Sequence, residues 1–119
     1  IKNSNERLEF LGDSVIGTVV ADYLFKKYPF KDEGFLTKMR SKMVSRERHN
    51  QIALKLGLNK FIETNNVSVR GKSSIYGDAY EALIGAIYLD KGYKFTQDFI
   101  VKRIIALHLD MEEVEHKEI

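Results

Sequence analysis

Apolar residues recur along this chain at helical rather than strand spacing. From Arg7 to Tyr28, Leu8, Leu11, Val15, Val19 and Tyr23 fall three or four apart, and Ile16, Val20 and Leu24 widen the stripe into a face. Asn5 suits the N-cap of this helix. Pro29 ends it, because proline has no amide proton and its ring clashes with the preceding turn. After the polar turn at Lys31-Asp32-Glu33-Gly34, a second helix is predicted over Phe35 to Val44, with Phe35, Leu36, Met39 and Met43 inward. Ser45 caps a third, whose apolar positions are Ile52, Ala53, Leu54 and Leu56 and whose stop is Gly57. Leu58 to Glu63 reads as a short connector. Thr64 to Ser74 is polar, and its Val67-Ser68-Val69 alternation is too short for a strand. Ile75 to Asp90 is a strongly apolar helix ending at Gly92, and Thr96 caps a last helix through Phe99, Ile100, Ile104, Ile105 and Leu107. The pattern predicts an all-α domain of about five helices. It contains no internal repeat or heptad array.

Two of these helices carry acids among apolar neighbours. Glu9 and Asp13 are four apart on the first and so share a side, with Glu6 one turn earlier. Leu8, Phe10, Leu11, Val15 and Ile16 surround them. Asp78 and Glu81 repeat the arrangement among Ile75, Ala79, Ala82, Leu83 and Ile84. Ionised carboxylates without partners cost several kcal/mol to bury. No Lys or Arg stands one turn from Asp13, since position 9 is Glu and position 17 is Gly. A cation between the carboxylates relieves the repulsion, and hard oxygen ligands suit Mg²⁺ or Mn²⁺. Each acid also has a bland reading: Glu6 and Glu9 suit a helix N-terminus, and Asp78 suits an N-cap. That the oddity recurs on two apolar helices favours one shared cluster.

The stretch Asn5-Glu6-Arg7-Leu8-Glu9-Phe10-Leu11-Gly12-Asp13-Ser14-Val15 resembles the signature of the ribonuclease III endonuclease domain. Tyr76-Gly77-Asp78-Ala79-Tyr80-Glu81-Ala82-Leu83-Ile84-Gly85-Ala86-Ile87-Tyr88 is similar to that family's second acidic motif, and Gly34-Phe35-Leu36-Thr37-Lys38-Met39-Arg40 falls between them in the expected order. The resemblance covers nearly the whole chain. It implies the ribonuclease III endonuclease-domain fold, with Glu9, Asp13, Asp78 and Glu81 as metal-binding catalytic acids and Glu6 and Glu33 as acids beside the same site. It implies a homodimer in which Phe10 inserts into the partner subunit. The implied activity is Mg²⁺-dependent hydrolysis of double-stranded RNA, leaving 5′-phosphate and 3′-hydroxyl ends with short 3′ overhangs, with a role in ribosomal and messenger RNA processing. Residues 1–110 are expected to form the catalytic domain. Residues 111–119 are expected to be an acidic tail leading toward a double-stranded-RNA-binding domain beyond these residues. Ile rather than Met at position 1 likewise leads to the expectation of a longer parent protein.

Charge then changes the picture. The 119 residues carry 19 Lys and Arg against 17 Asp and Glu, a net +2 that points to no polyanionic partner. Five of those acids and one base lie in the last ten residues, which leaves 18 bases against 12 acids, a net +6, in residues 1–109. Lys38, Arg40, Lys42, Arg46 and Arg48 oppose one acid, Glu47. Such a run is often a solvated helix face. With a nuclease reading, Lys38, Arg40, Lys42 and Arg46 become candidates for RNA phosphates, joined by Arg70 and Lys72. Little base specificity is expected, since duplex RNA is read by shape, 2′-hydroxyls and phosphates.

Other chemistries fit poorly. There is no Cys, hence no disulfide framework or thiolate site, and a cytoplasmic location is expected. No apolar run approaches the ~18 residues of a membrane span, and no signal peptide is visible, so no membrane partner is expected. Gly71-Lys72-Ser73 echoes a P-loop end, but position 66 is Asn and no strand precedes it, so no nucleotide cofactor is expected. Glu113-Val114-Glu115-His116 is a single Glu-x-x-His, where di-iron bundles need two. His49 and His108 are assigned to surface or packing. With no His in or beside either acidic motif, a metal is the simplest source of hydroxide. A non-catalytic RNA-binding or scaffold domain of the same fold is the alternative, and the four intact acids argue against it.

Overall fold

The computed structural model describes residues 2–64 and 75–117, and among them every regular element is helical. They are α1 (Lys2–Lys27), α2 (Glu33–Met43), α3 (Arg46–Lys55), α4 (Leu58–Thr64), α5 (Ile75–Phe99), α6 (Ala106–His108) and α7 (Met111–His116). A π-helical stretch, Ile100–Ile105, joins α5 to α6.

The second and third helices begin and end much as the pattern predicts, and the first ends so but begins at Lys2, ahead of the expected start at Arg7. Asn5 lies inside α1, however, not at its cap. Asp32 caps α2 by accepting from the Phe35 amide, and Ser45 caps α3 by accepting from the Arg48 amide. Gly57 adopts the left-handed conformation that glycine tolerates best, at φ 83°. Leu58–Thr64, expected as a connector, forms α4, because the Gly57 carbonyl accepts from the Lys60 and Phe61 amides and starts a new helix. Gly92 breaks α5 with φ 86°. Thr96 does not act as the cap of a last helix: it is buried, and its hydroxyl donates to the Gly92 carbonyl at 2.8 Å.

The core lies between α1, α5 and the helices wrapped around them. Ile16, Val19, Val20 and Leu24 meet Met39, Met43, Ile52, Tyr80, Ile84, Ile100 and Ile104, all essentially inaccessible to solvent. The α1–α5 pairing is the tightest in the fold. A side chain at Gly12 would collide with the Glu81 carbonyl, and one at Gly85 with the Leu8 carbonyl. The two helices therefore run antiparallel, backbone against backbone, and the contact sets Asp13 next to Glu81.

Residues 111–117 pack onto the body of the domain. Asp110 caps α7 by accepting from the Glu112 and Glu113 amides, and Val114 is fully buried in the core. Lys42 donates from Nζ to the Glu115 carbonyl at 2.7 Å, and Arg48 pairs with Glu113 at 3.5 Å. Arg48 offsets one of the acidic charges of this segment, Lys42 ties its backbone through the Glu115 carbonyl, and Val114 fills the core.

Candidate active site

Asp13 on α1, His49 on α3 and Glu81 on α5 bring one ligand atom each to within 4.8 Å of one another. Three features produce this. The Gly12 contact fixes Glu81 relative to Asp13. Gly77 brings the start of α5 onto α3: its amide donates to Asn50 Oδ1 at 2.7 Å, and a side chain there would press on Asn50 and on His49 Cβ. Asn50 thereby satisfies one of the amides that a helix N-terminus leaves without an internal partner. His49 is placed as the neighbour of Asn50, with Nδ1 2.7 Å from Glu81 Oε2.

These residues line an open pocket of about 410 Å³ with Val44, Arg46, Gly77 and Asp78. Asp13 is exposed, Glu81 and Asp78 are half-buried, and His49 is 1% exposed. The His49 ring packs edge-to-face on Tyr80, with centroids 5.2 Å apart. Burial, and then the neighbouring Glu81 charge, push the Tyr80 phenol well above its ordinary value, so it stays neutral. Among the described residues, Arg46 is the one Lys or Arg lining the pocket.

The other expected site residues are spread more widely. Glu9 is half-buried one turn before Asp13, and its carboxylate is not among the converging three. Asp78 lies in the first turn of α5 and lines the pocket; it is not an N-cap. Glu6 is exposed on α1. Glu33 opens α2, where its carboxylate accepts from the Thr37 hydroxyl, and neither Glu6 nor Glu33 lines the pocket. Phe10 is 77% exposed. Of the bases, Lys38 and Arg46 are exposed. Arg40 is exposed but tied, its Nε donating to the Gly17 carbonyl at 3.2 Å across a glycine that leaves room for it. Lys42, expected to face phosphate, is only 7% exposed and turned to the Glu115 carbonyl. Arg70 and Lys72 fall outside the described residues.

His49 is the residue missed beside the acidic motif. Its signal lay in the spacing: His49 stands one turn before Ile52 and Ala53 on the buried face of α3, which it shares with the buried Arg48. Its partner stands 32 residues away, beyond the reach of local pattern.

The donor set fits a divalent cation. Two carboxylates converge with an imidazole behind one of them, and no Lys or Arg among the described residues is within ion-pairing distance of Asp13 or Glu81. Fold and site thus define an all-α domain with a carboxylate centre built where two helices touch through glycine. Residues 1–107 match the family model described as ribonuclease-III-like, and the chain belongs to that family. It is 46% identical over 116 residues to the ribonuclease 3 of Bacteroides thetaiotaomicron, covering 98% of this chain and 37% of the relative. It is 47% identical over 110 residues to that of Zunongwangia profunda, covering 92% and 45%. The chain spans less than half the length of these relatives. Among solved structures, it resembles a nuclease domain of ribonuclease III from Campylobacter jejuni, described as flexible in a region involved in dimer formation. That match has a TM-score of 0.76 and 40% identity, over 87% of this chain and 76% of the other. It also resembles Dicer from Pichia stipitis, with a TM-score of 0.67 and 30% identity, over 88% and 53%. The fold is that of the ribonuclease III nuclease domain.

Proposed function

We propose that the chain is the catalytic part of an endoribonuclease that cleaves double-stranded RNA. The observation that carries this reading is the convergence of Asp13 and Glu81 across the α1–α5 glycine contact, inside a family of nucleases. Mg²⁺ is the proposed ion, with Mn²⁺ able to substitute. When bound, a divalent cation held by such carboxylates would lower the pKa of a water and offset the charge on the phosphate. Asp13 and Glu81 would hold it, and Glu9 and Asp78, one turn away on the same helices, would add negative charge that favours cation uptake. Arg46 at the pocket wall and Lys38 on α2 meet phosphate oxygens.

The exposed ring of Phe10 sits three residues before Asp13, so a partner seated on it would lie close to the site. Removing such a side chain from water contributes about 1.5–3 kcal/mol, which supports a homodimer built on this face. Two sites in a dimer, each on one strand, yield staggered cuts with short 3′ overhangs. A cytoplasmic role in ribosomal and messenger RNA processing completes the reading. Among the described residues, no helix is long and apolar enough to cross a membrane.

The test is end analysis of the products. Long duplex RNA incubated with the chain and Mg²⁺ is expected to give fragments with 5′-phosphate and 3′-hydroxyl ends, to stop with EDTA and to resume with added Mg²⁺. Products bearing 3′-phosphate, or cleavage indifferent to EDTA, would contradict the reading.

A further inference from the structure

A buried imidazole beside a carboxylate calls for an account of its proton. An imidazole carries at least one N–H, and its neighbours decide where that proton sits. On Nδ1 it has Glu81 Oε2 as acceptor at 2.7 Å; on Nε2 it would have none, because Nε2 is buried without a hydrogen-bond partner among the described residues. An N–H left unsatisfied there costs about 1–3 kcal/mol. The tautomer with the proton on Nδ1 is the one this environment stabilises, and His49 donates to Glu81.

The donor is also held rigidly. Tyr80 packs against the edge of the ring, and Gly77 closes on His49 Cβ. The Asn50–Gly77 hydrogen bond locks α3 to α5 on the adjacent residue. Carboxylates that bind metals are commonly oriented by such outer donors, and losing one typically costs 10- to 100-fold in metal affinity.

We propose that His49 is a positioning residue for divalent-cation binding: through Nδ1–H it fixes one oxygen of Glu81 and leaves the other for the ion shared with Asp13. This rests on the Asp13–Glu81 reading above. The helix pairings explain the buried position of the ring, but they do not require a polar side chain there. A Leu would fill the same apolar stripe without supplying the hydrogen bond.

The test is Mn²⁺ binding, followed by the electron paramagnetic resonance of free Mn²⁺, with thermal melting to confirm folding. His49→Leu is expected to weaken Mn²⁺ binding about 10- to 100-fold. His49→Asn, whose amide nitrogen falls near the Nδ1 position, retains most of the affinity. His49→Gln, which reaches instead toward the Nε2 position, behaves like His49→Leu. In a Glu81→Ala background, His49→Leu weakens binding no further. If the leucine variant does not fold, the Asn–Gln contrast carries the test. Unchanged binding in folded His49→Leu, or equal binding by the Asn and Gln variants, overturns this role alone. A direct ¹⁴N coupling to bound Mn²⁺ in wild-type protein, absent from His49→Asn, overturns it by making the imidazole itself a ligand. Wild-type protein that takes up no Mn²⁺ overturns the cation site and this role with it.

Discussion

Gly12 of α1 rests directly on the backbone carbonyl of Glu81 in α5, with no room for a methyl group between them. That contact does two things. It lets the two long helices approach backbone to backbone, and it brings the next residue, Asp13, to the carboxylate of Glu81. Packing and chemistry therefore depend on the same missing side chain.

Gly12→Ala is expected to be among the most damaging single changes in the chain. Its Cβ meets backbone rather than a movable side chain, so α1 or α5 must shift. Overpacking of this kind costs about 1–3 kcal/mol or more. Thermal melting is expected to show a large drop in Tm, whereas Gly34→Ala, where the nearest atom is 3.7 Å away, leaves it nearly unchanged. A Gly12→Ala variant as stable as wild type would show that the helices do not pack this way.

The basic run divides by burial. Arg46 lines the acidic pocket, while Lys42 is spent on the Glu115 carbonyl. Arg46→Ala is expected to lower the slope of log affinity for duplex RNA against log salt by about one. Lys42→Met is expected to leave that slope unchanged. A filter-binding titration across salt concentrations separates them, and the reverse pattern would mean that Lys42 turns outward to meet RNA.

The C-terminal helix is expected to stabilise the domain. Val114 is fully buried, so Val114→Ala loses packing and leaves a cavity, at a cost of about 1–3 kcal/mol. Glu112→Ala, exposed on the same helix, is expected to fall within about 0.5 kcal/mol of wild type. Chemical denaturation reads both, and equal midpoints would show that α7 does not dock.

Phe10→Ala is expected to weaken self-association without unfolding the protomer, because the ring is exposed and contributes little to the core. Sedimentation velocity should show a shift from dimer toward monomer with an unchanged helical circular dichroism spectrum. A Phe10→Ala dimer as tight as wild type would remove Phe10 from the interface.

How much of this was legible in the sequence depended on whether the cause was local. The apolar stripe of α1, the Pro29 stop and the Ser45 cap are each written within one or two turns, and the structure agrees with them; α5 is apolar as expected, but it buries Tyr80 and Ile84 while Ala86 is exposed. The paired acids stood out because charge at helical spacing among apolar residues is locally costly. What escaped depended on partners far along the chain. Lys42 and Arg48 read as surface bases because their acceptors lie 73 and 65 residues away. His49 read as packing for the same reason. The α4 helix escaped because it is only seven residues long and starts from the Gly57 carbonyl without a side-chain cap at its first turn.

In the proposed function, Asp13 and Glu81 form the metal-dependent centre of a duplex-RNA endonuclease. The most direct measurement is Mg²⁺-dependent turnover of long duplex RNA by wild type, Asp13→Asn and Glu81→Ala, each first shown to be folded. Since losing an outer donor to a metal ligand already costs about 10- to 100-fold, loss of a ligand itself is expected to cost at least about 100-fold. Folded Asp13→Asn or Glu81→Ala protein that turns over duplex RNA at the wild-type rate would contradict the account.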